Sequence, residues 1–139
     1  MAVPPTAMDE EIWAELVRQA EAARLQAHAP YSRFLVGAAL RDASGRTIVG
    51  CNVENSSYGL SQCAERTAVC TGVAQGIRQF TALVVASAGG VAPCGACRQV
   101  LAEFTRGIDL PILLVDVTGQ RPLVRTTLGE LLPMQFHLD

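Results

Sequence analysis

Cys63-Ala64-Glu65 is followed, about thirty residues on, by Pro93-Cys94-Gly95-Ala96-Cys97. Three thiols so spaced can share one metal ion. Three protein ligands leave a tetrahedral zinc ion one open position, where water becomes a nucleophile, whereas a structural site normally uses four. The remaining candidates for a fourth ligand are Cys51, Cys70, His28 and His137. None sits at close ligand spacing to the other three. A CxxC pair by itself also suits a redox dithiol or half of a structural zinc knot. The preceding proline, the third cysteine and an acid two residues from the first thiol favour a catalytic zinc site.

Glu65 has reach to the open position but not the freedom to ligate beside Cys63, so its carboxylate reads as the proton carrier between water and substrate. Three thiolates leave a divalent cation with net negative charge, and something must offset it. Helix N-termini would do so in part, since their free N–H groups stabilise thiolate. Arg66 would add donors to the ligand sulfurs from outside the coordination shell. Arg98, just after the last ligand, reads equally as a second such donor or a solvated helix charge.

The elements that must hold these groups follow from pattern. Ile12, Trp13, Leu16, Val17, Ala20, Ala23 and Leu25 recur at helical spacing, which predicts a helix from about Asp9, its N-cap, to His28, with Pro30 as the stop. Phe34 to Leu40 and Thr47 to Val53 flank the turn Asp42-Ala43-Ser44-Gly45 and predict a hairpin. A helix from about Ser61 to Gly76 carries Cys63 and Glu65 near its start. Phe80 to Ala88 is a strand, and Pro93 opens a helix that closes at Gly107. Leu110 to Val117 is the next strand; a turn at Thr118-Gly119-Gln120-Arg121 leads back through Pro122 to Arg125, and Thr127 to Leu132 is a last short helix. This order argues for a sheet with helices on both faces, and ligands collect where helices follow strand ends.

The chain of 139 residues has room for one domain, with Met1 to Met8 as a flexible tail. Half its residues are apolar and 17% charged, which excludes disorder and leaves surface for subunit contacts. A net charge of −2 without a Lys or Arg run lacks the footprint of a nucleic-acid binder and favours a small-molecule substrate. No stretch is apolar enough to span a membrane, and the first residues lack a basic region followed by an apolar run, so the expected compartment is the cytoplasm. An odd cysteine number agrees with a reducing environment. Cys51 and Cys70 then read as small buried hydrophobes.

Phe34-Leu35-Val36-Gly37-Ala38-Ala39, Gly50-Cys51-Asn52-Val53-Glu54-Asn55, Cys63-Ala64-Glu65-Arg66-Thr67-Ala68 and Pro93-Cys94-Gly95-Ala96-Cys97-Arg98-Gln99 together resemble the small, homotetrameric, three-cysteine cytidine deaminases, over nearly the whole chain after the tail. Cysteine ligands with a Cys-x-Glu acid and a Pro-Cys-x-x-Cys element form the signature of zinc deaminases. The resemblance implies a three-layer α/β/α sandwich around a five-stranded mixed sheet, and one zinc ion per subunit on Cys63, Cys94 and Cys97. It implies hydrolysis of cytidine and deoxycytidine to uridine and deoxyuridine, with ammonia released, in pyrimidine salvage. By the same likeness Asn52 and Glu54 would hold the ribose hydroxyls, Phe34 would pack on the pyrimidine, and the backbone at Ala64 would read the base edge. Tyr58 and Phe136 would face sites shared between subunits. An amide and a carboxylate on alternate residues of one strand do suit neighbouring hydroxyls, because both point to one face.

Three rival readings remain open. A deaminase of another aminopyrimidine nucleoside, such as blasticidin S, would share the metal site but depart around the sugar. A polynucleotide deaminase would need a basic groove. A zinc-stabilised binding module would have no use for Glu65 beside an open metal position.

Overall fold

The computed structural model describes residues 8–138, so of the expected tail only Met8 falls within the described residues. Helix α1 (Glu10–Arg24) starts at Asp9, whose carboxylate accepts the Glu11 N–H at 2.8 Å. It ends four residues before the expected His28. There the chain leaves the helix to pair with the hairpin: His28 N–H donates to Asn52 O at 3.0 Å and Glu54 N–H to His28 O at 2.8 Å.

Strands β1 (Val36–Asp42) and β2 (Thr47–Cys51) form the predicted hairpin. Its turn is fastened by Asp42, which accepts Ser44 N–H, Ser44 Oγ–H and Arg46 N–H and pairs with Arg46 Nε at 3.1 Å. β1 begins at Val36, not Phe34, because the Asn52 side chain takes the place of a paired residue: its Oδ1 accepts Val36 N–H and its Nδ2 donates to Phe34 O. β2 likewise ends at Cys51, short of Val53.

After a 3₁₀ turn at Tyr58–Leu60 and an extended Ser61 comes α2 (Ala64–Ala74), three residues later than expected. It closes as predicted at Gly76, where φ is +91° and Gly76 N–H and Ile77 N–H return to Val73 O and Gly72 O. β3 (Phe80–Ser87) leads to α3 (Gly95–Glu103), capped by Cys94 and stopped at Phe104. Thr105 Oγ–H bonds Leu101 O at 2.9 Å there, so the helix falls short of Arg106. β4 (Pro111–Asp116), β5 (Val124–Thr127) and the one-turn α4 (Leu128–Leu131) complete the chain.

The sheet order is β2-β1-β3-β4-β5, with β3 and β4 parallel and the other pairs antiparallel. It is therefore the expected mixed five-stranded sheet. On one face Trp13, Leu16 and Ala20 of α1 pack on Ala39, Val84, Ala86 and Leu113. On the other, Ala68 and Val69 of α2 and Leu101 of α3 cover Leu40, Leu83, Val85 and Ile112, with Leu128 of α4. β2, β3 and β4 end at the same sheet edge, which brings the starts of α2 and α3 side by side. Gly50 lets α2 lie close on β2, since a Cβ there would collide with Ala68 N and Ala64 O. No helix among the described residues is long and apolar enough to cross a membrane.

Candidate metal centre

Each sulfur sits at a helix start because strand ends deliver it there. Cys63 is the N-cap of α2, Cys94 the N-cap of α3, and Cys97 lies in the first turn of α3. The Thr67 hydroxyl clips the first turn of α2 to the end of β2, donating to Cys51 O at 2.8 Å with Ala64 O also within reach at 2.9 Å. The Cys63 and Cys94 sulfurs are 4.0 Å apart, those of Cys94 and Cys97 3.4 Å, and all three lie within 4.8 Å of one another. Metal–sulfur bonds of about 2.3 Å in a tetrahedron put sulfurs roughly 3.8 Å apart, so the trio fits zinc. Soft thiolates select for that ion as well. Among the described residues no other group of three or more His, Cys, Asp or Glu is placed to hold a metal, and no fourth side chain joins this one.

Electrostatics favour thiolate at one sulfur and oppose it at another. Sharing with the Cys97 thiol, together with donation and charge from Arg66, outweighs burial and lowers Cys63 to about 5. Cys97, fully buried, is pushed up by its bond to the Cys63 sulfur and by burial. Arg66 Nη2 donates to Cys63 Sγ at 3.4 Å, as expected of a group that steadies ligand charge, and its own pKa rises chiefly through that bond. Its Nε is buried without a protein partner. Glu65, 5% exposed, is raised to about 7, mainly by burial and further by the Cys63 charge, although its own backbone bond and Arg66 oppose the shift. A carboxyl poised there exchanges protons readily near neutral pH. Ala64, fully buried, sets Glu65 one residue inside the helix start.

Arg98 turns away from the sulfurs. Its Nε donates to Pro93 O at 2.8 Å and its Nη1 to Leu131 O at 2.7 Å, so it is neither a ligand donor nor a free surface charge. The reading of Cys51 and Cys70 as buried is corrected: Cys51 is half-buried, and Cys70 is exposed because α2 buries Ala68, Val69 and Gly72 instead.

A cavity of about 350 Å³, lined by Tyr31, Ser32, Glu54, Tyr58 and Ser61, opens in the loops between α1, β2 and α2. That volume falls in the range of small-molecule sites. Of the residues singled out for substrate, Glu54 and Tyr58 line it. Phe34, Asn52 and Phe136 do not. Glu54 accepts Tyr31 N–H at 3.0 Å, Ser32 N–H at 3.2 Å and the Ser32 hydroxyl, and the last holds its pKa below the ordinary carboxylate range. Asn52 and Glu54 do address one segment from alternate positions, but both clasp the backbone of Tyr31–Val36. Phe34 is 38% exposed at the end of that segment. Tyr58 stands edge-on to Tyr31, ring centres 5.9 Å apart, and the Tyr31 hydroxyl meets Ser56 Oγ at 2.6 Å. Phe136 is 63% exposed, and Gln99 Nε2 donates to its backbone carbonyl at 3.0 Å.

Tyr31, Ser32 and Ser61 were not foreseen as pocket residues. The signal available was an aromatic and a hydroxyl directly after the helix stop at Pro30. Arg33, whose φ is 59°, bends that loop into place.

An open three-sulfur centre with a buried, protonatable carboxyl, set at the strand ends of an α/β sandwich, defines a metal-dependent hydrolytic enzyme. Residues 11–109 match the family model described as the cytidine and deoxycytidylate deaminase zinc-binding region, and the chain belongs to that family. It is 47% identical over 127 residues to a cytidine deaminase of Sporosarcina psychrophila, covering 90% of this chain and 91% of that protein. A crystal structure of cytidine deaminase from Burkholderia pseudomallei superposes with a TM-score of 0.82 at 46% identity, covering 88% of this chain and 98% of the other. A blasticidin-S deaminase of Bacillus cereus stands further off, 29% identical over 111 residues, covering 73% and 76%.

Proposed function

We propose that the protein hydrolyses cytidine and deoxycytidine to uridine and deoxyuridine in pyrimidine salvage, in the cytoplasm. The observation that carries this reading is a buried carboxyl at Glu65 beside three converging sulfurs that no fourth side chain joins among the described residues. One zinc ion per subunit, held by Cys63, Cys94 and Cys97, would supply a Lewis acid that brings the pKa of water towards neutrality. Glu65 takes a proton from the attacking water and delivers it to the pyrimidine ring nitrogen. It then takes the second proton from the new C4 hydroxyl and hands it to the amine as the C4–N bond breaks, so that ammonia leaves and a C4 carbonyl remains. Arg66 keeps Cys63 anionic throughout.

Glu54 and Asn52 take the ribose, using acceptor and donor capacity left over from their backbone bonds, while Phe34 stacks on the base and Ala64 presents its backbone to the base edge. The relatives' identities favour cytidine over blasticidin S, at 47% against 29%.

The assembly in this reading is a homotetramer with active sites shared between subunits. Support comes from apolar surface around the pocket: Tyr31, Tyr58 and Leu60 are exposed. In the last residues Met134, Phe136 and Leu138 are exposed while Gln135 and His137 are half-buried, so the tail turns its apolar side outward. This reading calls for neither nucleic acid nor a membrane.

Ultraviolet absorbance of cytidine mixed with purified protein, read beside zinc by elemental analysis, tests the proposal. Rapid loss of the cytidine spectrum with one zinc per chain is expected. Negligible turnover of cytidine alongside rapid turnover of blasticidin S would overturn it.

A further inference from the structure

Arg98 adds two hydrogen bonds where α3 and α4 already pack together. Its Nε bond ends on the carbonyl of Pro93, the residue before the ligand Cys94; its Nη1 bond ends on the carbonyl of Leu131, the last residue of α4 and the root of the C-terminal tail. Both bonds are partly buried. A guanidinium is a rigid planar fork, so the two carbonyls are held at a fixed separation in a way that a single ammonium cannot reproduce. Further along the tail, Gln99 Nε2 bonds Phe136 O and Arg106 Nη2 bonds Leu138 O at 3.2 Å. The whole tail is thus fastened from α3 and the turn after it. Its backbone contributes little: Leu132 N–H returns to Leu128 O at 2.7 Å, and the tail pairs with no strand of the sheet.

We infer that Arg98 is a positioning residue that couples the Cys94 loop to the C-terminal tail, so that a cation on the sulfurs steadies the tail and an ordered tail slows loss of the cation. Drawing the Cys94 sulfur into a metal cluster fixes the Pro93–Cys94 peptide. The guanidinium, once ordered by the Pro93 carbonyl, has less freedom to lose in binding the Leu131 carbonyl. Coupling of this kind acts in both directions by linkage. Since the tail carries Phe136, the same brace would let metal loading govern the residue offered to a neighbouring site.

The test is limited chymotrypsin digestion of zinc-loaded and chelator-stripped protein, with cleavage after Met134 and Phe136 scored by mass spectrometry against cleavage within α1. Zinc transfer to a chromogenic chelator is followed in parallel. Stripping should speed tail cleavage about five- to tenfold in the wild-type chain, the range of ordinary coupling between sites. In Arg98→Lys the tail should be cut fast in both states, so that this ratio collapses towards one, and zinc should leave faster. Truncation after Leu132 should likewise speed zinc release. Gln99→Ala, which frees only the Phe136 end, should keep the metal dependence. A brace with a purely structural part would raise cleavage equally in both states of Arg98→Lys and leave the ratio intact, which overturns the coupling; so would a wild-type tail indifferent to zinc. If Arg98→Lys does not fold, the wild-type ratio and the truncated chain decide. The readouts are cleavage and metal release, so a failure of cytidine turnover would leave this inference standing.

Discussion

Cys97 and Glu65 at the metal centre expose 0% and 5% of their surface, whereas Tyr58 at the pocket and Phe136 in the C-terminal tail expose 75% and 63%. At the first, the Cys97 sulfur and the Glu65 carboxyl are buried in their own chain while Cys63 is half-buried and Cys94 exposed; the second is formed by loops and is more open. Sulfurs, carboxyl and Arg66 come from the first turns of α2 and α3, which rest on a core that fixes them. The pocket wall comes from Tyr31 and Ser32, held by bonds to the Glu54 carboxylate, together with Tyr58 and Ser61. Bond-making groups need sub-ångström placement, and a rigid helix start supplies it. Apolar walls need only to be dry when substrate is present, so another subunit can finish them.

That division predicts how each region fails. Cys94→Ala should release zinc and abolish turnover, the largest effect; full metal stoichiometry in this variant would remove Cys94 from the ligand set. Glu65→Gln should keep zinc and fold while lowering kcat about 10²–10⁴-fold with KM little changed, because the amide cannot shuttle protons. Near-normal kcat there would move proton transfer elsewhere. Phe34→Ala should raise KM about tenfold, the loss of one aromatic contact of ~1.4 kcal/mol, with kcat within a few-fold. A fall in kcat alone would show that the two regions are not separable.

The smallest effect concerns the scaffold under both. Gly89 N–H and the Thr118 groups, with Arg121 N–H, hold Asp116 at about 2, and it thereby fixes the loop that leads to Cys94. At Asp42 burial opposes ionisation, but the Ser44 and Arg46 bonds prevail and hold it at about 2 as well. Both values lie below the ordinary 3.8, so the unfolded chain binds more protons in between. Stability from these carboxylates is complete above about 4 and is lost as pH falls from there to about 2. Acid titration followed by circular dichroism should show this loss, and Asp116→Asn should flatten it in that window.

Wherever a feature depends on neighbours in the chain, it was legible beforehand. The Asp9 cap, the hairpin turn, the Gly76 stop and the Cys94–Cys97 pair each rest on spacings of a few residues, whereas Cys63 meets that pair from a separate helix. Misplaced boundaries share another cause. α1 stops at Arg24 because His28 pairs with residues twenty-four or more positions away, and β1 starts late because an Asn52 side chain replaces a strand partner. Arg98 was undecidable for the same reason, as its second acceptor lies thirty-three residues on. Cys70 was misjudged because one turn of helix decides which face is buried.

By itself the sequence determined the chemistry, since thiols and a carboxylate at helical spacing at the starts of two helices constrain what they can bind. Only the tertiary structure decided what those groups lean on. Carbonyls and N–H groups occur at nearly every residue, so no residue type announces which distant one a Ser32, Asn52, Glu54 or Arg98 side chain will meet; the packed sheet edge selects the partner.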